Sequence, residues 1–205
     1  MNFFGHALVA GRARPEAAFI LGAMAPDLLP LCGALVCQAT SAAVVEGQAQ
    51  HLRVDAAFHA NATFVQLQAW TSRALIERGM ARGSARGAAH VGVELLLDGV
   101  LASDHHARRT YLASLAEADG ARTPFTWRDA ASERRWGELV TRLRQGTIPD
   151  AYRDCDFVTD RLIGALRSRP RLAVSDADQP VLRAFLPALR ARVEAEADAL
   201  LPDVA

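Results

Sequence analysis

The chain has no excess of charge, few cysteines and no long apolar run. Its basic and acidic residues balance at 23 each. That balance removes whole-molecule attraction to nucleic acid or anionic membrane, so a phosphorylated substrate would have to be held by a local site. The three cysteines, Cys32, Cys37 and Cys155, form neither an even disulfide framework nor a zinc-type CxxC array, and a reducing cytoplasm is expected. The start shows no basic segment followed by an apolar stretch and a cleavage site, so no secretory signal is expected. The most apolar stretch, Ala17 to Val36, is broken by Pro26, Asp27 and Pro30. It falls short of the roughly 18 residues of a spanning helix and reads as a buried turn.

What is present is helical periodicity. A chain of 205 residues with 51% hydrophobic content can bury one substantial core, and the reading is a single all-α domain over residues 1–205, a multi-helix bundle. Pro15 suits the first turn of a helix that should end near Ala25, because the residue before Pro26 resists helical geometry; Asp27 is then expected at a helix-ending turn. Thr40-Ser41 can cap a helix running towards His51 and Asp55, divided near Asn61-Ala62-Thr63 from a second stretch ending at Glu77. Gly79 to Gly87 reads as a connection, and Ala88 to Ala102 as the strongest core helix. Segments near His105–Ala118, Trp127–Leu143, Tyr152–Ser168 and Asp178–Leu200 alternate apolar and charged positions as surface helices do. Gly120–Pro124 and Gly146–Pro149 look like loops.

Two ladders stand out, His51-Asp55-His59 and His90-Glu94-Asp98, each with three residues between successive members. On a helix a step of four advances about 6 Å and turns about 40°, so each ladder lines one face. With this composition, about 0.1 such triplets are expected by chance. The surroundings are apolar, Val54, Ala56, Ala57 and Phe58 around the first ladder and Val91 to Leu101 around the second. Ionisable groups entering a core need a partner, and a divalent cation shared by the two faces supplies one.

Together with His6 and Asp27, the ladders make a donor set of His6, Asp27, His51, Asp55, His59, His90, Glu94 and Asp98. Nitrogen and carboxylate donors suit manganese or zinc, with iron as a further option, and the lack of cysteine argues against a structural thiolate site. Eight donors exceed one tetrahedral shell. Either several ions share the site, one to three in all, or some donors orient ligands or act as acid and base. The plainer readings are a satisfied core histidine for His6, a cap or turn for Asp27, and hydrogen-bond networks or exposed faces for the ladders. Asp104-His105-His106 is a further constellation that either touches the active site or simply serves a helix end and its dipole. Arg82, Arg86, Arg108 and Arg109 offer phosphate contacts or are scattered surface arginines.

At these residues the chain resembles the acyl carrier protein phosphodiesterase family, an HD-like group of helical metal-dependent hydrolases. Met1-Asn2-Phe3-Phe4-Gly5-His6-Ala7-Leu8-Val9-Ala10 resembles that family's start, and Gly22-Ala23-Met24-Ala25-Pro26-Asp27 its following segment. His51-Leu52-Arg53-Val54-Asp55 matches its central histidine-to-aspartate spacing, and Asp98-Gly99-Val100-Leu101-Ala102 its later helix. The resemblance covers roughly the first half of the chain. Leu52 stands where the family usually has arginine, His59 where it tends to have a second aspartate, and Gly99 where it tends to have histidine. The Gly22–Asp27 segment and the His51, Asp55, His59, His90 and Glu94 spacing are also similar to zinc-dependent phospholipases C and related nucleases.

Both resemblances imply phosphoester hydrolysis by metal-activated water, in an HD-like site within the helical core. Asp27 and Asp55 are the first choices for the catalytic base, and Arg53 is a candidate contact for the substrate. The first resemblance implies a phosphopantetheinylated carrier protein as partner, recognised by a basic surface for which Arg53, Arg82 and Arg86 are candidates. The alternatives are a phospholipase C or nuclease-like hydrolase, and a helical protein that binds metal without turnover.

Overall fold

The chain opens with α1 (Phe3–Ala13) and α2 (Ala17–Cys32), and the second of these runs past the break expected at Ala25. Pro26 removes one donor and crowds the carbonyl of Gly22, a penalty of about 3 kcal/mol in a helix interior. Continuing the helix buries Leu28 completely, and α2 is apolar on nearly every side from Phe19 to Ala25. The stop comes instead at Gly33, left-handed at φ 62°. There Gly33 N–H donates to Pro30 and Ala34 N–H to Leu29, both at 3.2 Å, a Schellman ending. Asp27 therefore lies inside a helix, not at its end.

Strand β1 (Val36–Ala39) follows, then α3 (Ala42–Ala60), α4 (Ala62–Glu77) and α5 (Arg82–Leu101). Ser41 caps α3 as expected, its hydroxyl accepting from Val44 N–H at 3.3 Å. Asn61 divides α3 from α4, its side-chain oxygen accepting from the N–H groups of Thr63 and Phe64. The connection expected up to Gly87 is shorter. Gly83 and Gly87 belong to α5, where a Cβ on Gly83 would stand 1.9 Å from the Arg171 carbonyl oxygen. These glycines permit close approach rather than flexibility.

The remaining elements are α6 (His105–Ala116), β2 (Phe125–Trp127), α7 (Ala130–Arg144), a single 3-10 turn (Asp150–Arg153), α8 (Cys155–Leu166), α9 (Gln179–Ala195) and α10 (Ala197–Leu200). Trp127 ends a strand rather than starting a helix: β2 pairs antiparallel with β1, with Val36 opposite Trp127. The architecture is all-α, with ten α-helices and one two-stranded ribbon among the described residues. The computed structural model describes residues 1–118 and 124–202. The loop expected over Gly120–Pro124 lies, apart from Pro124, outside the described residues.

Two compact units are distinguished by their internal packing. In residues 1–57 and 101–150, α1, α2, α6 and α7 pack on one another around Phe4, Met24, Leu28, Tyr111 and Trp136, all essentially inaccessible. The Phe4 and Tyr111 rings meet edge to face at 5.3 Å. In residues 58–100 and 151–202, α9 packs on α4 and α8, and Phe58, Phe64, Leu96, Leu162, Leu186 and Leu189 are buried. Gly99 approaches Tyr152 in this unit, where a Cβ would stand 2.5 Å from the Tyr152 carbonyl oxygen. A histidine side chain, the residue type the resemblance leads one to expect there, does not fit.

Candidate metal centres

In the first unit α1, α2 and α3 bring His6, Asp27 and His51 together, each offering one donor atom, all within 4.8 Å of one another. His6 Nε2 lies 3.8 Å from Asp27 Oδ2 and 3.8 Å from Asp55 Oδ1. The rings of His6 and His51 are 3.9 Å apart between centroids. Both imidazoles are buried, whereas the Asp27 and Asp55 side chains are 25% and 36% exposed. The carboxylate side chains are thus partly exposed while the rings are buried, although Asp27 Oδ2, the oxygen nearest His6, is itself buried. The α-amino group of Met1 donates to Asp55 Oδ1 at 3.0 Å.

The way α2 meets α3 fixes one of these rings. A Cβ on Gly22 would stand 2.3 Å from the Val44 carbonyl oxygen, and one on Gly47 would stand 2.1 Å from that of Phe19. Backbone therefore meets backbone, which brings His51 Nδ1 within 2.9 Å of the Ala23 carbonyl oxygen. A carbonyl only accepts, so Nδ1 carries the proton and Nε2 keeps its lone pair, as in histidines that ligate metals. Both nitrogens of His6 are buried with no hydrogen-bond partner, which fits a donor arranged for a ligand that is not protein. Burial pushes His6 down to about 4; the Asp55 carboxylate opposes this and the His51 ring adds to it. Burial also lowers His51, against the bond to Ala23. Both rings are neutral at pH 7, the form that binds metal.

The second unit holds another group. His59, near the end of α3, meets His90 and Glu94 of α5. His59 Nε2 lies 3.2 Å from His90 Nε2 and 3.1 Å from Glu94 Oε1, and His90 Nε2 lies 3.4 Å from the same oxygen. Burial alone would raise the Glu94 carboxyl, but the hydrogen bonds from His59 and His90 outweigh it and hold Glu94 well below the usual carboxylate range. It is ionised. The two imidazoles stack at 4.9 Å, and the Phe64 ring stands nearly perpendicular to both, 5.2 and 5.4 Å away between centroids.

The ladders are thus regrouped. His51 joins His6 and Asp27, with Asp55 close by, while His59 joins His90 and Glu94. Asp98 is fully buried one turn beyond Glu94 and belongs to neither group. Arg53 is exposed and donates to Gln50 on its own helix. Asp104 caps α6, accepting from the N–H groups of His106 and Ala107, and these bonds lower its carboxyl. Arg108 is ion-paired with Asp150. Arg82 and Arg86 line surface cavities in the second unit.

Two kinds of residue carry no ladder signal and were not expected at a site. Gly22 and Gly47 set the helix approach that positions His51, and Gln68 hydrogen-bonds His90 Nδ1 at 3.1 Å. A glycine four residues before His51 on the same helix was the one available hint.

No model of a known protein family, no curated protein and no solved structure matches the chain. No helix among the described residues is long and apolar enough to cross a membrane.

Proposed function

We propose that the chain is a metal-dependent phosphoester hydrolase whose centre is built from His6, Asp27, His51 and Asp55. The observation that carries this reading is the convergence of a hydrogen-bond-free buried His6, a His51 fixed with Nε2 as lone-pair donor, and two partly exposed carboxylates. Two neutral imidazoles and a carboxylate suit manganese or zinc. The resemblance to acyl carrier protein phosphodiesterases supports the reading at the same residues.

His6, His51 and Asp27 would hold the ion, which when bound lowers the pKa of water and screens charge on a phosphoryl oxygen. Asp55, the most exposed of the four, takes a proton from the attacking water. The water oxygen would form the new bond to phosphorus as the bond from phosphorus to the leaving oxygen breaks, and the proton taken up by Asp55 would pass to that leaving oxygen, restoring the carboxylate. Asp27 has the same chemistry and is the second choice as base. Arg53, exposed on α3, is the residue proposed to contact an anionic substrate such as a phosphopantetheinylated carrier protein.

The test is hydrolysis of bis(p-nitrophenyl) phosphate by purified protein with manganese, zinc or chelator, alongside metal analysis. Activity that needs added metal and disappears in Asp55→Ala is expected. Tightly held metal with no turnover across a broad phosphoester panel would overturn the hydrolase reading in favour of a metal-binding protein.

A further inference from the structure

We infer that His59, His90 and Glu94 form a second, separate zinc-type site whose open position takes a phosphate group from an adjoining arginine-lined cavity. This goes beyond the hydrolytic reading and does not depend on it. The three donor atoms form a nearly equilateral triangle with edges of 3.1, 3.2 and 3.4 Å. A tetrahedral ion with bonds of about 2.0–2.1 Å requires ligand edges of about 3.3–3.4 Å. The triangle is therefore close to one face of such a shell without rearrangement. Two histidines and one glutamate leave the fourth position for an outside ligand, as in catalytic zinc sites.

The surroundings support a ligand site. Gln68 Nε2 lies 3.1 Å from His90 Nδ1; a half-turn of the amide, which exchanges its nitrogen and oxygen, lets the oxygen accept the Nδ1 proton and leaves Nε2 of His90 to the ion. Gln68 and His90 also line a cavity of about 480 Å³ whose rim includes Arg86, Arg169 and Arg171. A neighbouring cavity of about 510 Å³ shares Gln68 and Arg86 and adds Arg73 and Arg82. Ser84 Oγ donates to the Ala173 carbonyl at 2.6 Å, and Asp178 accepts from Ala81 N–H, which fastens the 173–178 segment beside this rim to the start of α5.

All of the chain's 23 basic residues are arginine, and a guanidinium pairs bidentately with phosphate where an ammonium acts as a point charge. None of the ion pairs among the described residues involves Arg86, Arg169 or Arg171. Three guanidiniums around one cavity exceed what a single carboxylate needs, and they favour a phosphate-bearing small molecule.

The test uses the full chain with cobalt(II) as a zinc probe. In His51→Ala, which removes the first centre, one equivalent of cobalt should still bind and give a visible d–d absorption. Adding Glu94→Gln to that variant should abolish the absorption while helical content is unchanged. Inorganic phosphate should shift the spectrum of His51→Ala, and Arg86→Ala with Arg169→Ala should weaken that phosphate response at least tenfold. If His51→Ala protein binds no cobalt, or Glu94→Gln alone keeps every equivalent bound by the parent, the second site does not exist. A cobalt spectrum indifferent to phosphate would overturn the ligand assignment. Phosphoester hydrolysis by the parent is read separately, so failure of one proposal leaves the other intact.

Discussion

His51 Nδ1–H reaches the Ala23 carbonyl oxygen at 2.9 Å because Gly47, one turn earlier on α3, has no side chain. A Cβ on Gly47 would stand 2.1 Å from the Phe19 carbonyl oxygen and 2.8 Å from Ala23 N. Both contacts are with backbone, which cannot swing aside. Gly47→Ala is therefore expected to push α3 off α2, costing about 1–3 kcal/mol of stability as overpacking does, and to weaken metal binding at His6 and His51 together. Gly137 on α7 has nothing within 4 Å of its Cβ position, so Gly137→Ala should instead gain about 0.5–1 kcal/mol. Urea unfolding of the two variants checks both signs, and calorimetric metal titration of Gly47→Ala checks the link to the site.

Metal should stabilise the folded chain, since the donors of both groups are assembled only on folding. At an ion concentration about 100 times the dissociation constant, the gain is about 2.7 kcal/mol per site. Thermal unfolding with zinc or manganese should shift upward and return to its starting point on chelation. Asp27→Ala removes a donor from the first group and should lose part of that shift, leaving a residue attributable to His59, His90 and Glu94. An Asp27→Ala protein with the full shift would remove Asp27 from the ligand set.

The metal-free protein should lose stability as pH falls from about 6.5 to about 4. Burial holds His6 down to about 4 in the folded chain, whereas an unfolded imidazole titrates near 6.5. Between these values the unfolded chain binds the extra proton, so unfolding gains on every step towards acid. The full difference is roughly 3 kcal/mol from His6 alone, and His51, also lowered by burial, acts in the same direction. Carboxylates titrate in this range too, so the diagnostic is the comparison with His6→Phe. Urea midpoints in chelator from pH 7 to pH 4 should fall less steeply in that variant than in the parent.

Much of this arrangement was legible in spacing, because four-residue steps survive any tertiary packing that leaves a helix intact. His90 and Glu94 fall on one face of α5 as their spacing requires, Ser41 caps α3, and the division expected near Asn61 lies there. The partners were not legible, since a ladder defines a face but not what lies against it. His59 stands in line with His51 and Asp55 yet meets His90 and Glu94, a pairing set by where α5 runs. The end of α2 departs from the sequence expectation for a similar reason. The local penalty at Pro26 is real, but burial of Leu28 beyond it, visible only in three dimensions, outweighs it. Gly83 and Gly87 read as loop residues from composition alone, although they sit inside α5 where Arg171 and Leu172 come close.

Two neighbours on α5 separate scaffold from chemistry. Leu96 is 1% exposed, and Leu96→Ala deletes buried methyl groups from the core of its unit, a change that costs about 2–5 kcal/mol depending on how far the cavity collapses. Glu94 lies two residues earlier, turned to His59 and His90, and Glu94→Gln preserves its volume while removing the charge that an ion requires. The expected pattern is a double dissociation. Leu96→Ala should lower the unfolding midpoint sharply and still bind cobalt at low temperature with a parent-like spectrum. Glu94→Gln should lose the cobalt absorption of its site while its metal-free midpoint moves much less. Equal loss of midpoint in both variants would mean that the Glu94 contacts serve the packing of α5 rather than an ion.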